Sequence, residues 1–166
     1  MKNLFLTALL TLALIANGFA VDKNKAAKKE TGASYFAKNS FSAKFVGAKD
    51  VAWSTVESYY KASFTLNGEK KAAFFDGQGE YVATTQYIKS DKLPAESIAK
   101  LKKLYSGYAI GEILYFEIDN SGSSLQPNVF SGSGDSTYYF VSLRKGDSQI
   151  VVKVNDQNDI AYFKSL

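Results

Sequence analysis

The stretch Tyr59-Tyr60-Lys61-Ala62-Ser63-Phe64-Thr65-Leu66-Asn67-Gly68 decides the fold. Tyr60, Ala62, Phe64 and Leu66 alternate with Tyr59, Lys61, Ser63 and Thr65, the period of two that marks a half-buried strand. Asn67-Gly68 is the strongest two-residue hairpin signal, because both residues tolerate the positive φ that such a turn demands. Lys70–Phe75 then reads as the returning strand. The stretch has an echo in Tyr138-Tyr139-Phe140-Val141-Ser142-Leu143-Arg144-Lys145-Gly146. Tyr59 and Tyr138 are 79 residues apart, and so are Gln78 and Gln157. After each copy comes a second apolar run, then a polar turn: Asp76-Gly77-Gln78-Gly79-Glu80 in one, Asn155-Asp156-Gln157-Asn158-Asp159 in the other. A third apolar run closes each copy. A repeat of a small sheet unit predicts a surface more readily than a catalytic cleft.

Working outward, the chain begins like a secretory precursor. Lys2 supplies the positive start, Leu4 to Ala16 is an uncharged apolar run, and Gly18-Phe19-Ala20 offers small residues where a signal peptidase reads. Cleavage is expected after Ala20, leaving 146 residues, enough for one compact domain or two small units sharing a core. The apolar run is shorter than the roughly 20 residues of a membrane span, and no later run is long enough. Residues 21–33, with Lys23, Lys25, Lys28 and Lys29, read as a solvated linker.

The absences narrow the chemistry. The chain has no Cys and no His. Disulfides cannot support a secreted fold here. The usual general base, the thiol nucleophile and the standard zinc sites are all missing. The net charge is +4, and the charges of the folded part look interspersed, so no nucleic-acid role is expected.

Two helices are predicted. Residues 34–46 place Phe41 and Phe45 on one face, with Ala37 a turn earlier, Ser34 as N-cap and Gly47 at the end. Residues 94–106 place Ile98, Leu101 and Tyr105 on one stripe, with Pro94 first and Gly107 last. Strands are expected at Val51–Ser54, Tyr59–Leu66, Lys70–Phe75 and Tyr81–Ile88, then at Ala109–Ile118, Thr137–Leu143, Ile150–Val154 and Ile160–Lys164. Residues 120–136 form a Ser/Gly-rich insertion that reads as a surface loop. Each copy is thus expected to be one helix packed on a roughly four-stranded antiparallel sheet. The expected class is α+β: two tandem units, residues 34–90 and 91–166, forming one long sheet with the helices on one face.

The residues Phe45-Val46-Gly47-Ala48-Lys49-Asp50-Val51-Ala52-Trp53, with Tyr60–Leu66, Asn67-Gly68-Glu69 and on to Phe75-Asp76, resemble a family. It is the PepSY-like, beta-lactamase-inhibitor-like group of secreted Bacteroidetes-type proteins, and the resemblance covers nearly all of residues 34–166. It implies a tandem helix-plus-four-strand fold whose open, concave sheet face grips a protein partner. It also implies that aromatics on that face, and turns at its rim, do the binding. The secreted inhibitors carry disulfides, which this chain cannot form, and their inhibitory turn residues are not matched one by one.

Three constellations remain. If Tyr60, Ala62 and Phe64 face the helices, Tyr59 faces away, and the same alternation turns Phe74, Tyr138 and Phe140 outward. These four are the candidate partner-binding residues, as a row of exposed rings; equally, rings at these positions can stack across strands and stabilise the sheet. The two polar turns cluster oxygen ligands of the kind calcium takes, but lack EF-hand spacing and have the Gly, Asn and Asp that any tight hairpin uses. Glu112 counts onto the face of Ile110 and Ile118, whereas Glu117 and Asp119 count onto the other, so no pair of carboxylates flanks one bond. No catalytic, cofactor or metal residue is assigned.

The sequence therefore reads as a secreted or periplasmic, non-enzymatic protein that engages a protein partner, such as a hydrolase, through the open face of its sheet. A small-ligand, glycan or lipid sensor using the same face is the alternative, as is an envelope component that self-associates through its sheet edges.

Overall fold

A computed structural model of the chain describes residues 32–118 and 137–166. The expected signal peptide, most of the linker and the 120–136 loop lie outside them. The elements run α1 (Tyr35–Lys44), β1 (Lys49–Val56), β2 (Tyr59–Leu66), β3 (Glu69–Phe75), β4 (Tyr81–Ile88), a short 3-10 turn (Ser90–Lys92), α2 (Ala95–Leu104), β5 (Ala109–Ile118), β6 (Thr137–Lys145), β7 (Ser148–Asn155) and β8 (Ile160–Ser165). The eight strands form one sheet in the order β1 to β8, and every neighbouring pair is antiparallel.

This overturns the expected α+β architecture of two units, each a helix on a four-stranded sheet. The molecule is one mostly-β, eight-stranded antiparallel sheet carrying two short helices among the described residues. The reason lies at the middle of the sheet. β4 pairs with β5 over consecutive residues from Ala83↔Ile118 to Ile88↔Ile113, as regular a ladder as any within either half. A buried cluster also crosses that junction, joining Phe74, Val82 and Ala83 to Leu114, Phe116, Ile118, Tyr138, Phe140 and Val151. Each helix has ten residues and covers only part of the sheet.

The register sorts the side chains onto two faces. On one, α1 lays Ala37 and Phe41 over Ala62, Phe64, Ala73 and Phe75. The Phe41 ring lies 5.0 Å from Phe64, 5.5 Å from Trp53 and 5.2 Å from Phe45, edge-on to the first two, a favoured geometry for aromatic pairs. On the same face α2 lays Leu101 over Ile113, Val141, Leu143 and Val152. Ser34 caps α1 by accepting from the Ala37 amide at 3.1 Å. Pro94 stands at the N-cap of α2 with extended backbone, one residue before the helical position expected for it.

The turns follow their residue chemistry. Asn67 and Gly68 both have positive φ, 53° and 81°, as the two-residue hairpin requires. The Asp76 carboxylate accepts from the Gln78 amide at 3.0 Å and the Glu80 amide at 2.9 Å. Asn155 does the same for Gln157 at 3.1 Å and Asp159 at 2.7 Å. In each turn the leading oxygen side chain, Asp76 or Asn155, is thus serving the backbone. Each turn then abuts a helix start. Gly79 lies so close to Ala37 and Phe36 that a β-carbon there would sit 2.5 Å from the Ala37 nitrogen. Asn158, with φ 61°, reaches α2, where Ser97 donates to its side-chain oxygen at 2.6 Å.

Candidate functional site

The second face carries no helical residue in its buried cluster. All four residues expected to bind a partner fall on it. Phe74, Tyr138 and Phe140 belong to the cluster, and Tyr59 packs against it half-buried. Their exposure differs from the expectation: Phe74 is 3% exposed, Tyr138 2% and Phe140 1%. The rings stack across strands. Tyr138 stands opposite Phe116 and Phe140 opposite Leu114. The Phe140 ring lies 6.0 Å from Phe116 and 5.1 Å from Phe163. These side chains are a bed of packed rings and present little area to a visitor.

The accessible part of this face lies beside that bed. A depression of about 910 Å³ opens over β1 to β4. Its floor is built from strand residues of this face: Ala52, Lys61, Ser63, Thr65, Lys70, Ala72, Thr85 and Tyr87. Lys89 and Lys92 stand at its rim with Asp50, Glu69 and Asp91. Hydroxyls and ammonium groups thus point into a broad, shallow concavity. Such a surface suits a chain segment laid across strands better than a small buried molecule.

The electrostatics of the floor are set by burial. Lys61 is half-buried, its ammonium 5.9 Å from the Phe74 ring, and burial pulls its pKa below the ordinary lysine value. Tyr87 is pushed up to about 12, first by burial and then by the Glu112 carboxylate. Tyr59 is also raised, by burial and then by Asp76 and Glu57. At neutral pH the Tyr87 phenol on the floor is therefore un-ionised.

The carboxylates of β5 do not fall as the sequence count placed them. The ladder shifts between Ile110 and Ile113, so Ile110 packs among the residues beneath α2, whereas Ile118 joins the cluster on the other face. An irregularity of this kind inverts any count of even spacings that crosses it. Glu117 stands on the helix side beside Tyr115, whose hydroxyl is 3.5 Å away. Asp119 lies outside the described residues.

The fold has counterparts among solved structures. A DUF2874 family protein from Bacteroides uniformis superposes with a TM-score of 0.67 at 19% identity, covering 80% of this chain and 90% of that one. The chain shares its fold. A BLIP-like protein from Bacteroides fragilis gives 0.66 at 17% identity, over 81% and 87% of the two chains. A Bacteroides eggerthii protein, provisionally named as periplasmic, gives 0.65 at 14% identity, over 80% and 89%. No family model matches the sequence, and no curated protein does. Among the described residues no helix is long and apolar enough to cross a membrane.

Proposed function

We propose that this chain is a non-enzymatic binding protein of the bacterial envelope that engages a protein partner through the helix-free face of its sheet. The observation that carries this reading is the depression of about 910 Å³ on that face, floored by polar and cationic strand residues and flanked by a bed of packed rings. Pre-formed concave surfaces on stiff scaffolds bind with little ordering cost. The likeness to a BLIP-like protein supports a partner that is a hydrolase held inactive, and the likeness to a protein provisionally named as periplasmic supports the compartment. On this reading the contact surface is the depression, with Lys61, Ser63, Thr65 and Tyr87 in it, and the packed rings stiffen the sheet beside it.

The test is affinity capture by the full chain, processed and exported by its expression host, against an envelope extract. A Ser63→Trp variant runs beside it. A captured hydrolase whose activity falls on adding this protein, and whose capture is lost in Ser63→Trp, supports the reading. Capture that survives Ser63→Trp with the fold intact places the contact elsewhere. Concentration-dependent sedimentation with no capture replaces it with self-association through β1 and β8, the strands at the two ends of the sheet.

A further inference from the structure

The two faces of the sheet differ in charge. On the helix-free face the ladder-paired positions carry Lys49, Lys61, Lys70, Arg144, Lys153 and Lys164. No carboxylate occupies a ladder-paired position of that face among the described residues. The helix side has both signs, with Glu69 and Glu117 as well as Lys71 and Lys145. Among the described residues the cations of the sheet thus gather on one face, where the nearby carboxylates sit off the ladder, Asp50 and Asp91 at the rim of the depression and Glu112 near Tyr87. Interspersion along the chain hides this, because alternation sends neighbours in sequence to opposite faces.

We propose that the depression over β1 to β4 takes an extended acidic polypeptide segment, its carboxylates meeting Lys61 and Lys70 on the floor and Lys89 and Lys92 at the rim. This deepens the proposed function and rests on it, naming the chemistry of the partner at the same surface. Like signs at the floor favour an occupant of opposite sign, both in steering and in choice of partner. Burial without a neighbouring carboxylate weakens the hold of Lys61 on its proton, and a docked carboxylate restores it.

Three further features select a polypeptide. Ser63, Thr65 and Thr85 place hydroxyls among the lysines, where they can pair with backbone amides and carbonyls of a visitor. Phe74, Tyr138 and Phe140 are buried, which leaves Tyr87 as the exposed ring lining the depression, short of the succession of stacking platforms that single-stranded nucleic acid uses. A concavity also does not meet a flat lipid surface. Four strands about 4.8 Å apart span roughly 14 Å, the length of about five extended residues.

The experiment is fluorescence anisotropy of a labelled oligoglutamate of about six residues against the full chain, at low and high salt. The same measurement is made with Lys61→Gln, Lys70→Gln and Lys38→Gln, the last an equal charge change on the outer side of α1. Oligoglutamate binding weakened about tenfold by Lys61→Gln and Lys70→Gln together, and unchanged by Lys38→Gln, is the expected result. Lys70 is exposed, so its single variant keeps the test intact should Lys61→Gln fail to fold. Equal loss in Lys38→Gln, or no binding by the folded protein, overturns the proposal. So does a stronger response to single-stranded DNA or to vesicles of anionic lipid. A partner captured by the depression but indifferent to both lysine substitutions overturns this inference alone and leaves the binding reading standing, because Ser63→Trp blocks the surface whatever the partner's charge.

Discussion

Gly79→Ala is expected to be the most damaging glycine substitution in the turns, and its cost can be worked from two separate sources. The first is conformational. Gly79 has φ 85°, a region that costs an alanine about 1–2 kcal/mol. The second is steric. The added β-carbon would lie 2.5 Å from the Ala37 nitrogen, 2.6 Å from the Phe36 β-carbon and 2.7 Å from the Phe36 carbonyl carbon. All three sit at the start of α1, and none is the far end of a flexible side chain. Relief requires the helix start to move by about 1 Å to reach ordinary contact distances. Forced shifts of packed elements cost about 1–3 kcal/mol. The sum is about 2–5 kcal/mol, a large share of the 5–15 kcal/mol or so that holds a domain together. Two other glycines separate the contributions. Gly68 has φ 81° with open space around it, so Gly68→Ala carries the conformational cost alone, about 1–2 kcal/mol. Gly77 has open space and no positive φ, so Gly77→Ala should be neutral or stabilising by up to about 1 kcal/mol. Urea denaturation of the three variants, with the slope checked for constancy, reads the series directly. If Gly79→Ala falls level with Gly68→Ala, the turn does not seat on the helix and the steric half of the reasoning is wrong.

Phe140→Ala should lose about 3–5 kcal/mol and Phe74→Ala a similar amount, because both rings are almost fully buried; a thermal melt within a degree or two of the parent would show that these rings are surface residues after all. Asn155→Ala should lose about 1–2 kcal/mol by stranding the Gln157 and Asp159 amides, whereas Asn155→Asp keeps both bonds and should cost far less; equal denaturation midpoints for the two would refute this. In a tyrosinate absorbance titration, one group should ionise near pH 12 in the native protein, and its step should vanish in Tyr87→Phe. The sign follows from linkage: a phenol raised from its ordinary value of 10.0 is protonated in both states below that value. Above it the unfolded chain ionises first, so the contribution of this group is intact below pH 10 or so and is lost as pH climbs through the raised value.

Much of the strand layout was legible. Tyr59–Leu66, Tyr81–Ile88 and Ala109–Ile118 are bounded in the structure as their alternation and flanking turns predicted. β1 is longer than Val51–Ser54: Lys49 and Asp50 at its start are exposed and carry no apolar signal, and at its end the exposed Thr55 separates the buried Val56 from the apolar run. The architecture was misread for a different reason. One long sheet was expected, but each half was read as a unit with a helix of its own to cover it, whereas two ten-residue helices cover only part of a single eight-stranded sheet whose buried cluster runs across the β4 and β5 junction. At the candidate site, alternation assigned Tyr59, Phe74, Tyr138 and Phe140 to one face, but a period of two gives only the side of the pleat. Whether that side is wet depends on cross-strand neighbours such as Phe116 and Phe163, and those are set by register. The basic character of this face was hidden likewise, because Lys61 and Lys70 come onto one face, with the Ser63 and Ala72 pair between them, only once the Asn67-Gly68 hairpin closes.

Every pairing in this sheet is between strands that follow one another in the chain. No strand must wait for a distant one, and no connection has to be threaded past another. The closure distances are therefore short for an all-antiparallel protein, which favours quick, stepwise zippering from any formed hairpin over a search for remote partners. The Asn67-Gly68 turn, with both dihedrals already suited to it, is the natural seed, and the rest of the sheet can grow from it strand by strand in both directions.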